Sequence, residues 1–208
     1  MDVASLVVDV VAAVATVLAV GLAWWEVRRI ARDLSRRAEF RLALALEWPD
    51  VRYEEVPEGR VAWVRLRRGS ALDTQLRIGF SNEGDRRAEW PLLNVIGPRH
   101  LRDFRFCTQA GKPHPEKGNV EPHTTDGPLT DLAGHQVDGW FLAWQERVVP
   151  LRNYHIVRYV RIRVDDPAAA DGFPLSVTLD SDDLDPKRQP DGVQALLYVR
   201  PEWIDEGR

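Results

Sequence analysis

The chain has 208 residues, 44% of them hydrophobic and 29% charged, with 8 Trp, one Cys and a net charge of −4. That apolar and aromatic content excludes a disordered chain, and one Cys excludes an intramolecular disulfide framework or a Cys-cluster zinc domain. The length suits one domain plus a short extra segment, and the mildly acidic balance argues against a nucleic-acid partner.

Residues 3–25 form an apolar run interrupted only by Ser5, Asp9 and Thr16. As a helix rising 1.5 Å per residue the run is about 35 Å long, enough to cross a hydrocarbon core of about 30 Å. Residues 1–25 are therefore predicted to be a single N-terminal transmembrane helix. Trp24 and Trp25 close it with the aromatic pair expected at a lipid–water interface. A cleaved signal peptide would carry its positive charge before the run, and only Met1 and Asp2 precede this one. Arg28, Arg29, Arg32, Arg36, Arg37 and Arg41 all follow it. Basic flanks stay on the cytoplasmic side, which places the N-terminus outside a bacterial inner membrane and residues 26–208 in the cytoplasm. Asp9, Ala12, Thr16, Ala19 and Ala23 share one small-residue face. This face suits either homo-oligomerisation in the bilayer or a plain Ala-rich anchor with Asp9 near the outer surface.

Residues 26–39 lack Pro and Gly, and Val27, Ile30, Ala31, Leu34 and Ala38 recur at helical spacing. A basic juxtamembrane helix is predicted here. Its Arg faces suit anionic headgroups or serve only as the topology signal.

From residue 40 the period becomes two. Leu42, Leu44, Leu46 and Trp48 alternate with Ala43, Ala45 and Glu47, predicting a strand that ends at Pro49-Asp50. Further strands are predicted over residues 61–68, 75–81, 88–96 and 101–107. The turn Asn82-Glu83-Gly84 follows the third, with Gly84 free to take positive φ, and Pro91 marks 88–96 as an edge or bulged strand. A long loop covers about 110–135. Strands resume at 137–145, 154–164, 175–179 and 195–199, and residues 201–208 are read as a C-terminal tail in which Trp203 can pack back. Residues 40–200 thus read as a mainly β domain, an antiparallel β-sandwich. In its strand pattern and its Asn82-Glu83-Gly84 turn the domain resembles immunoglobulin-like sandwiches on bacterial single-pass membrane proteins. It lacks the Cys–Trp–Cys signature of true immunoglobulin domains, so no functional residue carries over.

Chemical motifs are sparse. Cys107, His114, His123 and His135 are the best metal candidates, but their spacing matches no compact zinc motif. Asp180, Asp182, Asp183 and Asp185 are the best calcium candidates, with Asp165, Asp166 and Asp171 nearby, yet Leu184 and Asp185 stand where an EF-hand needs an oxygen ligand and Gly. Nucleophile elbows and phosphate loops are absent. No cofactor, metal or catalytic residue is assigned. Trp140 and Trp144 share one strand face, either in the core or as a partner surface.

These features predict a single-pass membrane-anchored β-sandwich, acting without catalysis as a binding module for a protein partner or small ligand. The alternative is a membrane effector whose β domain senses a signal and whose helices cluster to perturb the bilayer. The layout is similar to that of anti-phage effectors with transmembrane helices and β-barrel sensors. A membrane-tethered hydrolase is the third reading. Charge segregates to match: −2 over residues 1–25, +3 over 26–41 and −5 over 42–208.

Overall fold

The computed structural model describes the chain except residues 1–2, 58, 115–122, 131–135, 151–154, 168–170, 185–186, 190–191 and 205–208; side chains of 3–13, 33–35, 123–130 and 136–138 are also outside the description. The chain divides into two compact units, residues 1–37 and 38–208.

The first unit is one helix, α1 (Val3–Ser35). It stops four residues before the predicted boundary. Arg36 N–H still bonds Arg32 O at 3.2 Å, but Ala38 N–H goes to Asp183 O and Glu39 N–H to the Asn82 side chain. Those two donors are lost to any helical continuation. Between Val14 and Ile30 the large apolar side chains are more than half exposed, Val17 at 70% and Leu22 at 66% among them. Among the described residues no helix is long and apolar enough to cross a membrane. The side chains of residues 3–13 of the predicted span lie outside the description, those of Asp9 and Ala12 with them.

The second unit is mainly β, with two large sheets packed as a sandwich. A four-stranded sheet runs in the order β1 (Phe40–Leu46), β4 (Leu72–Asn82), β11 (Ile156–Val164), β7 (Arg105–Cys107). A seven-stranded sheet runs β2 (Val51–Val56), β3 (Gly59–Arg67), β13 (Val193–Ile204), β12 (Phe173–Asp180), β6 (Leu92–Pro98), β9 (Gln136–Gln145), β8 (His123–Thr130). A short ribbon pairs β5 (Ala88–Glu89) with β10 (Val148–Val149). Alternation decides which side chains enter the core. Phe40, Leu44 and Leu46 of β1 face Leu76, Ile78 and Phe80 of β4, and Leu93, Val95, Leu142, Leu175, Val177 and Leu179 oppose them from the larger sheet. Each such side chain contributes about 1.5–3 kcal/mol on burial.

Several expectations are corrected. The sandwich is not wholly antiparallel, because β13 pairs with β3 in parallel. The C-terminal tail starts later than predicted, since Pro201–Ile204 continue β13 opposite Val64–Arg67 and Trp203 packs against the core. Strand β2 was missed; it is a charged edge strand with one weakly buried face. The region 88–96 splits at Trp90-Pro91 into β5 and β6, and β6 is an interior strand, since Pro91 falls outside it. The predicted 110–135 loop contains β8. Gly84 is not among the residues with positive φ. Instead the Asn82 side chain builds that turn: its Oδ1 accepts from Gly84 N–H at 3.0 Å and its Nδ2 donates to Arg86 O at 2.6 Å.

Candidate functional site

On α1, tryptophan and arginine alternate up one side. Arg28 lies 4.4 Å from the Trp24 ring centroid and Arg29 lies 5.8 Å from that of Trp25, each an i,i+4 pair. Trp24, Trp25, Arg28, Arg29, Arg32 and Arg36 together line a surface cleft of about 210 Å³. Arg36 and Arg37 follow the end of the helix. Thr16, Ala19 and Ala23 are exposed on the helix.

In the β unit, the main feature is the free edge of β1. Gln189 binds Phe40 through both main-chain groups: Phe40 N–H donates to Oε1 at 3.0 Å and Nε2 donates to Phe40 O at 2.9 Å. Phe40 thus turns its N–H and C=O away from β4. In an antiparallel strand that direction recurs every second residue, so Leu42, Leu44 and Leu46 present theirs to the same free edge. The alternate set points the other way: Glu83 N–H bonds Glu39 O at 2.7 Å and Glu47 N–H bonds Gln75 O at 3.0 Å.

Side chains close both ends of this edge. The Tyr53 hydroxyl accepts from Leu46 N–H and donates to Leu46 O. Burial pushes the Tyr53 phenol up, against the opposing pull of its Leu46 bond and of Arg60, so it stays a donor. Arg60 Nη1 donates to Leu44 O at 3.1 Å while Nε bonds Glu55 at 2.7 Å. Three groups remain: Leu42 N–H, Leu42 C=O and Leu44 N–H. Among the described residues none of them has a hydrogen-bond partner.

A groove of about 590 Å³ opens on this stretch. Its walls are Arg41–Leu44 of β1, Glu55, Val56, Pro57, Gly59 and Arg60 at the β2–β3 turn, and Gln194–Leu196 of β13. It is a notch left by unequal strands. Strand β3 begins at Gly59 and pairs with β13 only from Arg60 opposite Leu197, so residues 193–196 of β13 run on without it. Gly59 makes the turn fit, because with φ at 152° a Cβ there would sit 2.7 Å from Leu196 O. Among the described residues no Ser, His or Cys lines the groove.

The other candidates resolve individually. Trp144 is 2% exposed, so it is a core residue and the partner-surface reading is corrected. Its ring meets Phe106 and His114 edge-on, at 5.4 and 4.6 Å, and Arg158 lies 5.1 Å above it. Trp140 is partly buried against the core and donates Nε1–H to Arg99 O at 3.0 Å. Cys107 is buried, and among the described residues no group of three or more His, Cys, Asp or Glu converges. His135 and the His123 side chain lie outside the described residues. In the acidic turn, Asp183 receives Glu89 N–H and pairs with Arg86 at 3.2 Å, while Asp180 accepts from Ser181 N–H; Asp185 lies outside the described residues. Asp165 pairs with Arg163. Sequence reasoning read the β1 alternation but not its free edge. Nothing local signals an edge whose cap, Gln189, is 149 residues away.

No family model matches the chain, and no curated protein matches it. Among solved structures it is similar to the DNA-binding domain of C. elegans Cep-1, an orthologue of human p53, at 8% identity, 80% of this chain, 91% of that one and a TM-score of 0.36. It is also similar to AvmM, which catalyses macrocyclisation in alchivemycin A biosynthesis, at 13% identity, 76% and 93% coverage and TM-score 0.36. A type II cohesin domain from the cellulosome of Acetivibrio cellulolyticus follows at 11% identity, 82% and 92% coverage and TM-score 0.23. At these scores none carries an argument about fold or function.

Proposed function

We propose that this protein is a single-pass membrane protein whose β-sandwich, immunoglobulin-like in its layering, serves as a non-enzymatic binding module at the cytoplasmic face. The observation that carries the reading is the surface of α1. Residues such as Val17, Leu18, Val20 and Leu22 are exposed at 63–70%, and a helix apolar on all sides is stable only when lipid or protein surrounds it. Trp24 and Trp25 at the end of that surface, each under a guanidinium, match the interfacial belt, and the Arg collar suits anionic headgroups. The anchor would confine the sandwich to the bilayer and raise its effective concentration for partners there. The groove supports the binding reading, since among the described residues its lining offers main-chain groups, apolar surface and an Arg–Glu pair.

The test is flotation of the full chain with vesicles on a density gradient. The wild type is expected to float. A Leu18→Arg, Leu22→Arg double variant places two charges at an expected cost of about 2.5–3.5 kcal/mol each at bilayer depth, and is expected to remain at the bottom. Equal behaviour of the two chains would remove the anchor from the account.

A further inference from the structure

We propose that the groove receives an extended peptide segment of a partner protein, which adds to β1 as a short extra strand at Leu42 and Leu44. The proposal rests on the reading of the β unit as a binding module and names its partner class. A buried or half-buried strand edge with an unpaired N–H, C=O and N–H in succession is a template for another backbone. The stretch is short. Gln189 occupies the Phe40 groups, Tyr53 those of Leu46 and Arg60 the Leu44 carbonyl, so among the described residues about 7 Å of edge is open. A second copy pairing edge to edge along β1 would need the groups already taken at Phe40 and Leu46. One extended chain, flanked by the β2–β3 turn and by Gln194–Leu196, needs only the three open ones.

The walls also set side-chain preference. A strand residue opposite Leu42 shares its face, where Ala195 offers small apolar surface. Its neighbour lies on the outer face beside Arg41, which already pairs with Glu83 at 3.5 Å, so this position favours a polar residue. The partner segment is therefore one that alternates apolar and polar residues.

The experiment uses the full chain in lipid nanodiscs with a pool of seven-residue peptides, carrying Val, Ile or Thr at alternate positions and Glu or Ser between. In the free protein, the Leu42 and Leu44 amides are expected to exchange hydrogen faster than those of Arg41, Ala43 and Ala45. Binders from the pool are expected to slow Leu42 and Leu44 selectively. N-methylation of the binders at alternate amides is expected to weaken them about tenfold, the scale of losing one or two hydrogen bonds. Leu42→Pro removes a donor that the β1–β4 ladder does not use, so the chain is expected to fold and to lose affinity by a similar factor; Leu42→Val is expected to keep it. Slow exchange at Leu42 in the free protein would overturn the proposal. So would protection that rises with protein concentration alone, which would make the occupant a second copy. A pool that binds without changing these amides would remove strand addition and leave the binding module standing. A pool in which nothing binds would overturn the peptide as occupant.

Discussion

Gln189 holds Phe40 as a neighbouring strand would, accepting from its N–H at 3.0 Å and donating to its C=O at 2.9 Å. One side-chain amide thus replaces a strand at the end of an exposed edge, a way of limiting uncontrolled pairing. Gln189→Ala is expected to cost about 1–3 kcal/mol, the scale of two hydrogen bonds with one left unmade. It is also expected to release the Phe40 amide to fast exchange. Urea unfolding and hydrogen exchange check both, and an unchanged Phe40 amide would contradict the assignment.

A second prediction concerns Glu146 and Arg158, which face the sandwich interior. Arg158 Nη2 donates to Glu146 Oε2 at 2.8 Å; Nε approaches Oε1 at 2.5 Å, off the hydrogen-bonding direction. Glu146 is 7% exposed. Removing one partner strands a buried charge, so Glu146→Ala is expected to cost about 3–5 kcal/mol. Pairing it with Arg158→Met is expected to recover much of that loss. A double-mutant cycle on the unfolding free energy separates this outcome from simple additivity.

Trp63 is sandwiched between Arg52 at 5.5 Å and Arg200 at 5.4 Å, and its Nε1–H reaches Glu54 at 3.0 Å. The stack ties β2, β3 and β13 together on their outer face. Trp63→Phe keeps a ring for both cations and is expected to lose about 1 kcal/mol, whereas Trp63→Ala is expected to lose about 3 kcal/mol. Thermal unfolding of the two variants checks the order, and equal losses would rule out the stacking contribution.

Cys107 gives a pH prediction. Burial pushes its thiol above the ordinary range, while the Arg105 and Arg161 guanidinium groups pull it down more weakly. The folded state therefore keeps the proton more firmly than the unfolded state. That contribution to stability is complete below the free-thiol value of about 8.5 and is lost as pH rises through the folded value. Cys107→Ala is expected to flatten the loss of stability on the alkaline side. In the native chain, modification by iodoacetamide at pH 8 is expected to follow unfolding. Rapid modification of the folded protein would contradict the burial.

Much of the architecture was legible because it follows from period. The two-residue alternation of Phe40–Leu46 and Gln75–Phe80 is written into the chain, and the structure pairs those strands with their apolar faces inward. Elements set by distant partners were not legible. Charged β2 forms because β3 lies beside it, and Pro201–Ile204 extend β13 because β3 offers a parallel edge. Trp144 was ambiguous because a strand with two apolar faces reads alike whether partner or core covers it. The groove was invisible for a related reason: it consists of main-chain groups left over after Gln189, Arg60 and Tyr53 have taken the rest, and no residue type marks them.

The central claim is an anchored sandwich on the cytoplasmic side, and protease protection in spheroplasts tests it most directly. Full-length protein with a C-terminal tag is exposed to external protease before and after lysis, and the membranes are then washed with alkaline carbonate. The account predicts a tag that is protected until lysis and a chain that stays in the carbonate-washed membrane. A tag digested from outside would reverse the topology, and a chain released by carbonate would contradict the anchor itself.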